Sequence, residues 1–174
     1  TPIALPVGKE NEFNGLVDLV EMKMRTHEDE EGKVINIHEI SDEYKEEAEK
    51  WRSKLVEMIA DTDDDIAMKF LEGEEISTEE LKKALRHAVL ENELFPVVPG
   101  SSLKNKGVQA LLDNVCRYLP SPLDKKYVQI DDDGNETIYD GKVPAIDPKT
   151  DETLTRDLSK DEPFSALVFK LAID

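Results

Sequence analysis

The sequence predicts an α/β chain built around an α+β unit, a small mixed or antiparallel sheet packed by about three helices. Three observations carry this. Residues 3–40 hold short apolar stretches and period-two alternation, the pattern of strands. Residues 41–92 place apolar side chains every three or four positions, the period of amphipathic helices. Residues 94–119 then run from an apolar stretch through a glycine, serines and lysines into another helical pattern.

Each element follows from local chemistry. "PIALPVG" reads as a strand whose proline limits its ladder. "FNGLVDLVEMKMRT" opens on the Asn14-Gly15 turn signal and sets Leu16, Val20, Met22 and Met24 at even spacing, which predicts one half-exposed strand. "HEDEEGK" is a polar turn. "VINIHEI" then places Val34 and Asn36 on one side and Ile35 and Ile37 on the other.

In "SDEYKEEAEKWRSKLVEMIAD", Ser41 suits an N-cap, and Asp42 and Glu43 suit the first turn of a helix. Tyr44, Ala48, Trp51, Leu55 and Met58 share one face, and Glu43, Glu46, Glu49, Ser53 and Glu57 the opposite one. "DDDIAMKFLEGEE" predicts a shorter helix stopped near Gly73. "STEELKKALRHAVLEN" starts with Ser77 and Glu80 at capping-box spacing and buries Leu81, Leu85 and Val89. "LFPVVPG" reads as a strand, and "GVQALLDNVCRYL" as a helix ended by "PSP". Cys116, beside Val115 and Leu119, is expected as a buried thiol.

From Leu123 to Lys160 the chain turns polar. It reads as a linker with one hairpin, "YVQI" and "ETIY" joined across Asp133-Gly134. The final "FSALVFKLAID" reads as an unpaired strand and the opening Thr1 is not an initiator Met, so a fragment cut at both ends is expected.

Charge and cysteine usage bound the function. Asp+Glu 40 against Lys+Arg 22 gives a net charge of −18, which repels phosphate backbones and anionic membranes and attracts basic proteins. Solubility alone is the plain reading of that charge. One cysteine excludes an internal disulfide framework and fits a reducing, cytoplasmic setting. No apolar run approaches the roughly 20 residues that span a bilayer.

Two decoys are set aside. "DDDGNE" matches part of a calcium loop at Asp131, Asp133, Gly134 and Asp140, but Gln129 occupies the first position and the flanks read as strands. His27, His38 and His87 are dispersed, with no second ligand at zinc spacing, and read as surface or structural histidines.

The loop "GSSLKNKG" is the most informative stretch. It lacks the Gly-Lys-Ser/Thr of a P-loop, although its backbone could still cradle an anion. Asn105-Lys106 looks like half of the Asn-Lys-x-Asp guanine reader, but Val108 stands where the aspartate belongs. Taken alone, the loop reads as an ordinary strand-to-helix connection.

The longer string "GSSLKNKGVQALLDNVCRYLPSP" resembles the end of the GTPase domain of the elongation factor G family, the ribosomal translocases. "FNGLVDLVEMKM" resembles the start of the subdomain inserted in that domain, and "DEPFSALVFKLAID" the entry to its second, β-barrel domain. The resemblance covers residues 2–122 and 161–174, with a weakly matched linker between. It implies a remnant GTPase-sheet strand in 1–12, the inserted subdomain in 13–93, and the last strand, loop and helix of the GTPase domain in 94–122. Residues 123–160 would be linker, and 161–174 the start of the barrel.

The same resemblance assigns sites. Ser101, Ser102 and Leu103 would be the fifth guanine-nucleotide motif, which holds guanine O6 through a backbone N–H; Ser102 stands where the family usually has alanine. The helix over 42–60 would face the C-terminal domain of the ribosomal stalk protein through Glu43, Glu46, Glu49 and Glu57, with Lys50 where another acid is expected. GTP or GDP with magnesium belongs to the full-length parent. No bound nucleotide, GTP hydrolysis, catalytic residue, metal ligand or sequence-specific nucleic-acid binding is expected of this chain, because it contains no P-loop, switch segment or Asn-Lys-x-Asp. Two alternatives remain: an acidic protein-interaction module without a nucleotide role, and a ribosome-recycling, ribosome-protection or translocase paralogue.

Overall fold

The computed structural model describes residues 1–131, 133–166 and 170. They form two compact units, Thr1–Leu119 and Pro120–Asp174. The chain has the expected mixture of helices and small antiparallel sheets.

The first unit holds a four-stranded antiparallel sheet in chain order, β1 (Ala4–Val7), β2 (Gly15–Asp18), β3 (Lys23–His27) and β4 (Ile35–His38). The single half-exposed strand expected over 13–26 is instead the hairpin β2–β3. Asp18 causes the break: its Oδ1 accepts from Val20 N and Glu21 N, both at 2.9 Å, and Met22 closes the turn at φ 51°. All four residues of β2 are buried, because both of its faces are covered. Val17 lies in the core with the helices, whereas Leu16 approaches Gly107.

The strand expected at 95–98 shrinks to one parallel bridge between Pro2 and Val97. Ile3 N donates to Val97 O at 3.1 Å and Val97 N to Thr1 O at 2.9 Å. Pro96 and Pro99 have no N–H to extend the ladder. No separate remnant sheet forms, since β1 pairs along its length with β2.

Helices α1 (Asp42–Ala60), α2 (Asp64–Glu72) and α3 (Thr78–Leu90) pack together beside the sheet. The buried stripe of α1 is Ala48, Leu55, Val56 and Ile59, with Tyr44 and Trp51 half-buried against it; Met58 lies off the stripe's centre. Ser41 occupies the N-cap, but its hydroxyl makes no capping bond. Arg52 ties α1 to the sheet by donating to Leu19 O at 2.8 Å and Val20 O at 3.0 Å, carbonyls of the β2–β3 turn.

Helix α2 starts on Asp63, whose Oδ1 accepts from Ile66 N at 3.0 Å, and stops at Gly73 with φ 71°. The capping box of α3 forms in full: Glu80 N donates to Ser77 Oγ at 3.3 Å and Ser77 N to Glu80 Oε2 at 3.0 Å. Leu81, Leu85 and Val89 are buried as expected.

Helix α4 (Val108–Tyr118) packs on α3. It commits only Tyr118 to the core; Leu111, Leu112, Val115 and Leu119 stay exposed. Cys116 is exposed too, contrary to expectation, because its row of α4 faces away from α3 and the sheet.

The second unit contains two hairpins where one was expected, β5 (Tyr127–Ile130) with β6 (Glu136–Tyr139) and β7 (Lys142–Ile146) with β8 (Thr153–Asp157). The unforeseen turn is organised by Asp147, whose Oδ1 accepts from Lys149 N at 2.8 Å, while Asp151 takes φ 60°. None of the unit's described residues is buried. Residues 161–166 form no strand, and the rest of the strand expected over 161–174 lies largely outside the described residues.

Candidate functional site

Residues 101–106 close a tight loop between the Pro2–Val97 bridge and α4. Ser101 N donates to Lys106 O at 2.8 Å, Lys106 N to Ser101 O at 3.0 Å, and Asn105 N to Ser102 O at 3.2 Å. Ser102, Leu103 and Lys104 form the tip. Their three backbone N–H groups have no acceptor among the described residues, and Leu103 is 95% exposed. Gly100 and Ser101 border an open groove of about 370 Å³, whose other walls are Pro6, Gly8, Lys9, Glu10, Phe13 and Pro99.

Below the tip the two lysines and both side-chain amide nitrogens are engaged. Lys104 Nζ donates to Asn11 O at 2.8 Å and Lys106 Nζ to Asn14 Oδ1 at 3.0 Å. Asn105 Nδ2 donates to Glu31 O at 3.2 Å, and Gln109 Nε2 to Gly32 O at 2.9 Å. The lysines therefore brace the loop rather than offer charge to an anion. Asn105 and Lys106, which in sequence look like half of a base reader, are tied to the β3–β4 turn and to the segment before β2.

One contact was not legible in the sequence. Gly107 N donates to His27 Nε2 at 3.0 Å, from the start of α4 to the end of β3. With Nε2 as the acceptor, the ring proton of a neutral imidazole is assigned to Nδ1, on the side of the Gly32 carbonyl, although no bond of ordinary geometry joins the two. Burial holds the His27 pKa below its ordinary value of 6.5, and the Lys106 ammonium adds to the effect; the Gly32 carbonyl and Asp29 act in the opposite sense. A lone histidine 80 positions from its partner carries no spacing signal.

On α1, Glu43, Glu46, Glu49 and Glu57 are exposed and none makes an ion pair among the described residues. Lys50 follows Glu46 by one helical turn and so interrupts the acidic face. Lys45 is occupied by Asp42 at 2.6 Å, and Lys54 lies 4.6 Å above the Trp51 ring. The face keeps an acidic excess that Lys50 and the Lys45–Glu49 attraction reduce.

A second open groove, of about 360 Å³, lies where α1, α2 and α3 meet, lined by Thr62, Asp63, Asp64, Asp65 and His87. Asp63 is already used as the cap of α2. Among the described residues, no group of three or more histidines, cysteines and carboxylates is arranged to hold a metal ion, and no helix is long and apolar enough to cross a membrane.

No family model matches the sequence. Among solved structures, the chain is similar to a crystal structure of a Thermus thermophilus protein described without a function. The match has 29% identity and a TM-score of 0.62 and covers 84% of this chain. It covers 24% of that protein, so this chain spans about a quarter of the length of the structure it matches. The likeness is one of fold.

Proposed function

We propose that this chain is part of a translational GTPase of the elongation factor G type, contributing a guanine-contacting loop and an acidic, partner-facing helix. One observation carries the reading: the loop whose sequence resembles the fifth guanine-nucleotide motif presents unpaired N–H groups at Ser102 and Leu103 beside an open groove. Guanine O6 accepts a hydrogen bond; adenine carries an amino donor there, so a fixed N–H discriminates between the two bases. Ser102 leaves the backbone donor in place. The match to about a quarter of a longer protein fits a part that acts within a larger whole.

The test is an amide NMR titration of this chain. Millimolar GDP should shift Ser102 and Leu103, ADP should shift them less, and GTP should not turn over. No shift at these residues with GDP would sink the loop assignment, and low-micromolar affinity or turnover by this chain would overturn the division of labour.

The acidic helix acts mainly by steering, since exposed ion pairs contribute about 0–1 kcal/mol each. Reversing the charge of Glu46 and Glu49 in the full-length factor should slow its ribosome-stimulated turnover, most at low salt, where screening is weakest. An unchanged rate at low salt would count against a stalk-protein contact. The exposed carboxylates of α1 also favour a second reading, an acidic interaction module with no nucleotide role. In that case a basic protein domain shifts α1 resonances while GDP leaves 102–103 untouched.

A further inference from the structure

We infer that His27 is the positioning residue of the 101–107 loop, a latch that is closed while the imidazole is neutral and opens when it is protonated. The inference deepens the guanine-contact reading by naming how that loop is held, and only its functional meaning rests on that reading.

The latch is built from contacts that converge on two turns. His27 ends β3, is 6% exposed, and its Nε2 is the acceptor for Gly107 N. Five residues on, the Gly32 carbonyl accepts from Gln109 Nε2 at 2.9 Å, and Asn105 Nδ2 reaches the preceding Glu31 carbonyl. The β3–β4 turn meets the loop closely enough to require glycine at position 32, and the loop closes on itself closely enough to require it at 107. A Cβ at Gly32 would lie 2.4 Å from Asn105 O, and one at Gly107 would lie 2.9 Å from Pro99 O. Both glycines have positive φ, 66° and 79°, so side chains there would be strained as well as crowded. The foot of the loop is thus tied to the end of β3 and to the turn that follows it.

Protonation acts on this tie directly. A charged imidazole carries N–H on both nitrogens, so Nε2–H would point at Gly107 N–H, donor against donor, in a buried site. The charged groups facing His27 are Lys106 from the loop and Asp29 from its own turn. The adjoining strand segments present Asn14, whose carbonyl accepts from His27 N, and Ile35 at the paired position on β4; neither titrates. With Lys106 closer in effect than Asp29, the environment favours the neutral ring. A histidine with a lowered folded pKa adds stability that is complete above its ordinary 6.5 and is lost as pH falls toward the folded value. Carboxylate titration, which drives general acid unfolding, begins near pH 4.5, so the latch has its own window above that of the rest of the fold.

The experiment is hydrogen exchange of individual amides in the whole chain between pH 7.5 and 5, read as protection factors. Protection of Gly107 and Ser101 should fall up to tenfold per pH unit below 6.5, while the core amides of Leu55 and Leu85, which exchange only when the whole unit opens, stay the better protected at every pH. In His27→Gln, whose side-chain oxygen can accept from Gly107 N but does not titrate, Gly107 protection should be independent of pH over this range. A pH-independent Gly107 in the native chain, or the same pH dependence in the glutamine variant, would overturn the latch. Should the variant not fold, imidazole nitrogen shifts of the native chain decide. An Nδ1–H tautomer at pH 7.5 whose titration moves the Gly107 amide supports it; an Nε2–H tautomer refutes it. No nucleotide enters this test, so a failed guanine titration leaves it standing.

Discussion

Residues 1–119 and 120–174 use the same local device and reach opposite outcomes. In each, an aspartate at the end of a strand accepts backbone N–H groups and turns the chain into a hairpin. Asp18 does this between β2 and β3, and Asp131 between β5 and β6, accepting from Asp133 N at 3.0 Å and Asn135 N at 2.8 Å. Yet β2 is wholly buried, and β5 is wholly exposed. The difference lies in the next elements of the chain. After β4 come three amphipathic helices that cover the sheet; after β6 comes another two-stranded hairpin. Turn chemistry makes a hairpin, but burial needs a second layer of structure.

The largest test of that contrast is side-chain truncation. Leu55 is 0% exposed in the helical core, so Leu55→Ala should cost about 2–5 kcal/mol, whereas Ile130→Ala, 63% exposed on β5, should cost within about 0.5 kcal/mol. Denaturant midpoints by far-UV circular dichroism measure both. Equal losses would mean that β5 contributes to a core in solution.

Capping comes next. Ser77→Ala removes the acceptor for Glu80 N on a helix docked in the core, and should lower the same midpoint by about 1 kcal/mol. Asp131→Ala should melt its own turn, visible as lost amide dispersion over 131–135, without moving the midpoint. A global loss from the Asp131 change would erase the distinction between the units.

The smallest effect concerns pH. The Lys69 ammonium, then the Ser77 hydroxyl and N–H, hold the Glu80 carboxyl down to about 2. Because this pKa is depressed from 4.5, the stability it contributes is full above 4.5 and is lost as pH falls through about 2. A carboxyl carbon titration of Glu80 should show a midpoint near 2, rising toward the ordinary value in Lys69→Met. A native midpoint above 4 would mean that the box is open in solution.

Sequence alone determined the elements whose causes are local. The Ser77–Glu80 box, the Gly73 stop, the Asp133-Gly134 hairpin and the exposed acidic row of α1 all depend on residues within one or two turns of each other. Period-two counting failed at 13–26 because the Asp18 turn divides two strands whose apolar residues keep the same parity. It failed at 95–98 because two prolines leave an apolar run little to pair with. The 101–106 loop was legible as a motif, and its foot was not. Which lysines brace it, that Asn105 reaches Glu31, and that His27 accepts from Gly107 depend on contacts between positions 74 to 93 residues apart. Those contacts exist only once burial has brought β3 and the start of α4 together. Likewise Cys116 reads as buried from its neighbours, but tertiary packing commits only Tyr118 of α4 to the core. Hydrogen bonds and turn preferences act over a few residues and can be read in one dimension; burial is a property of the assembled layers.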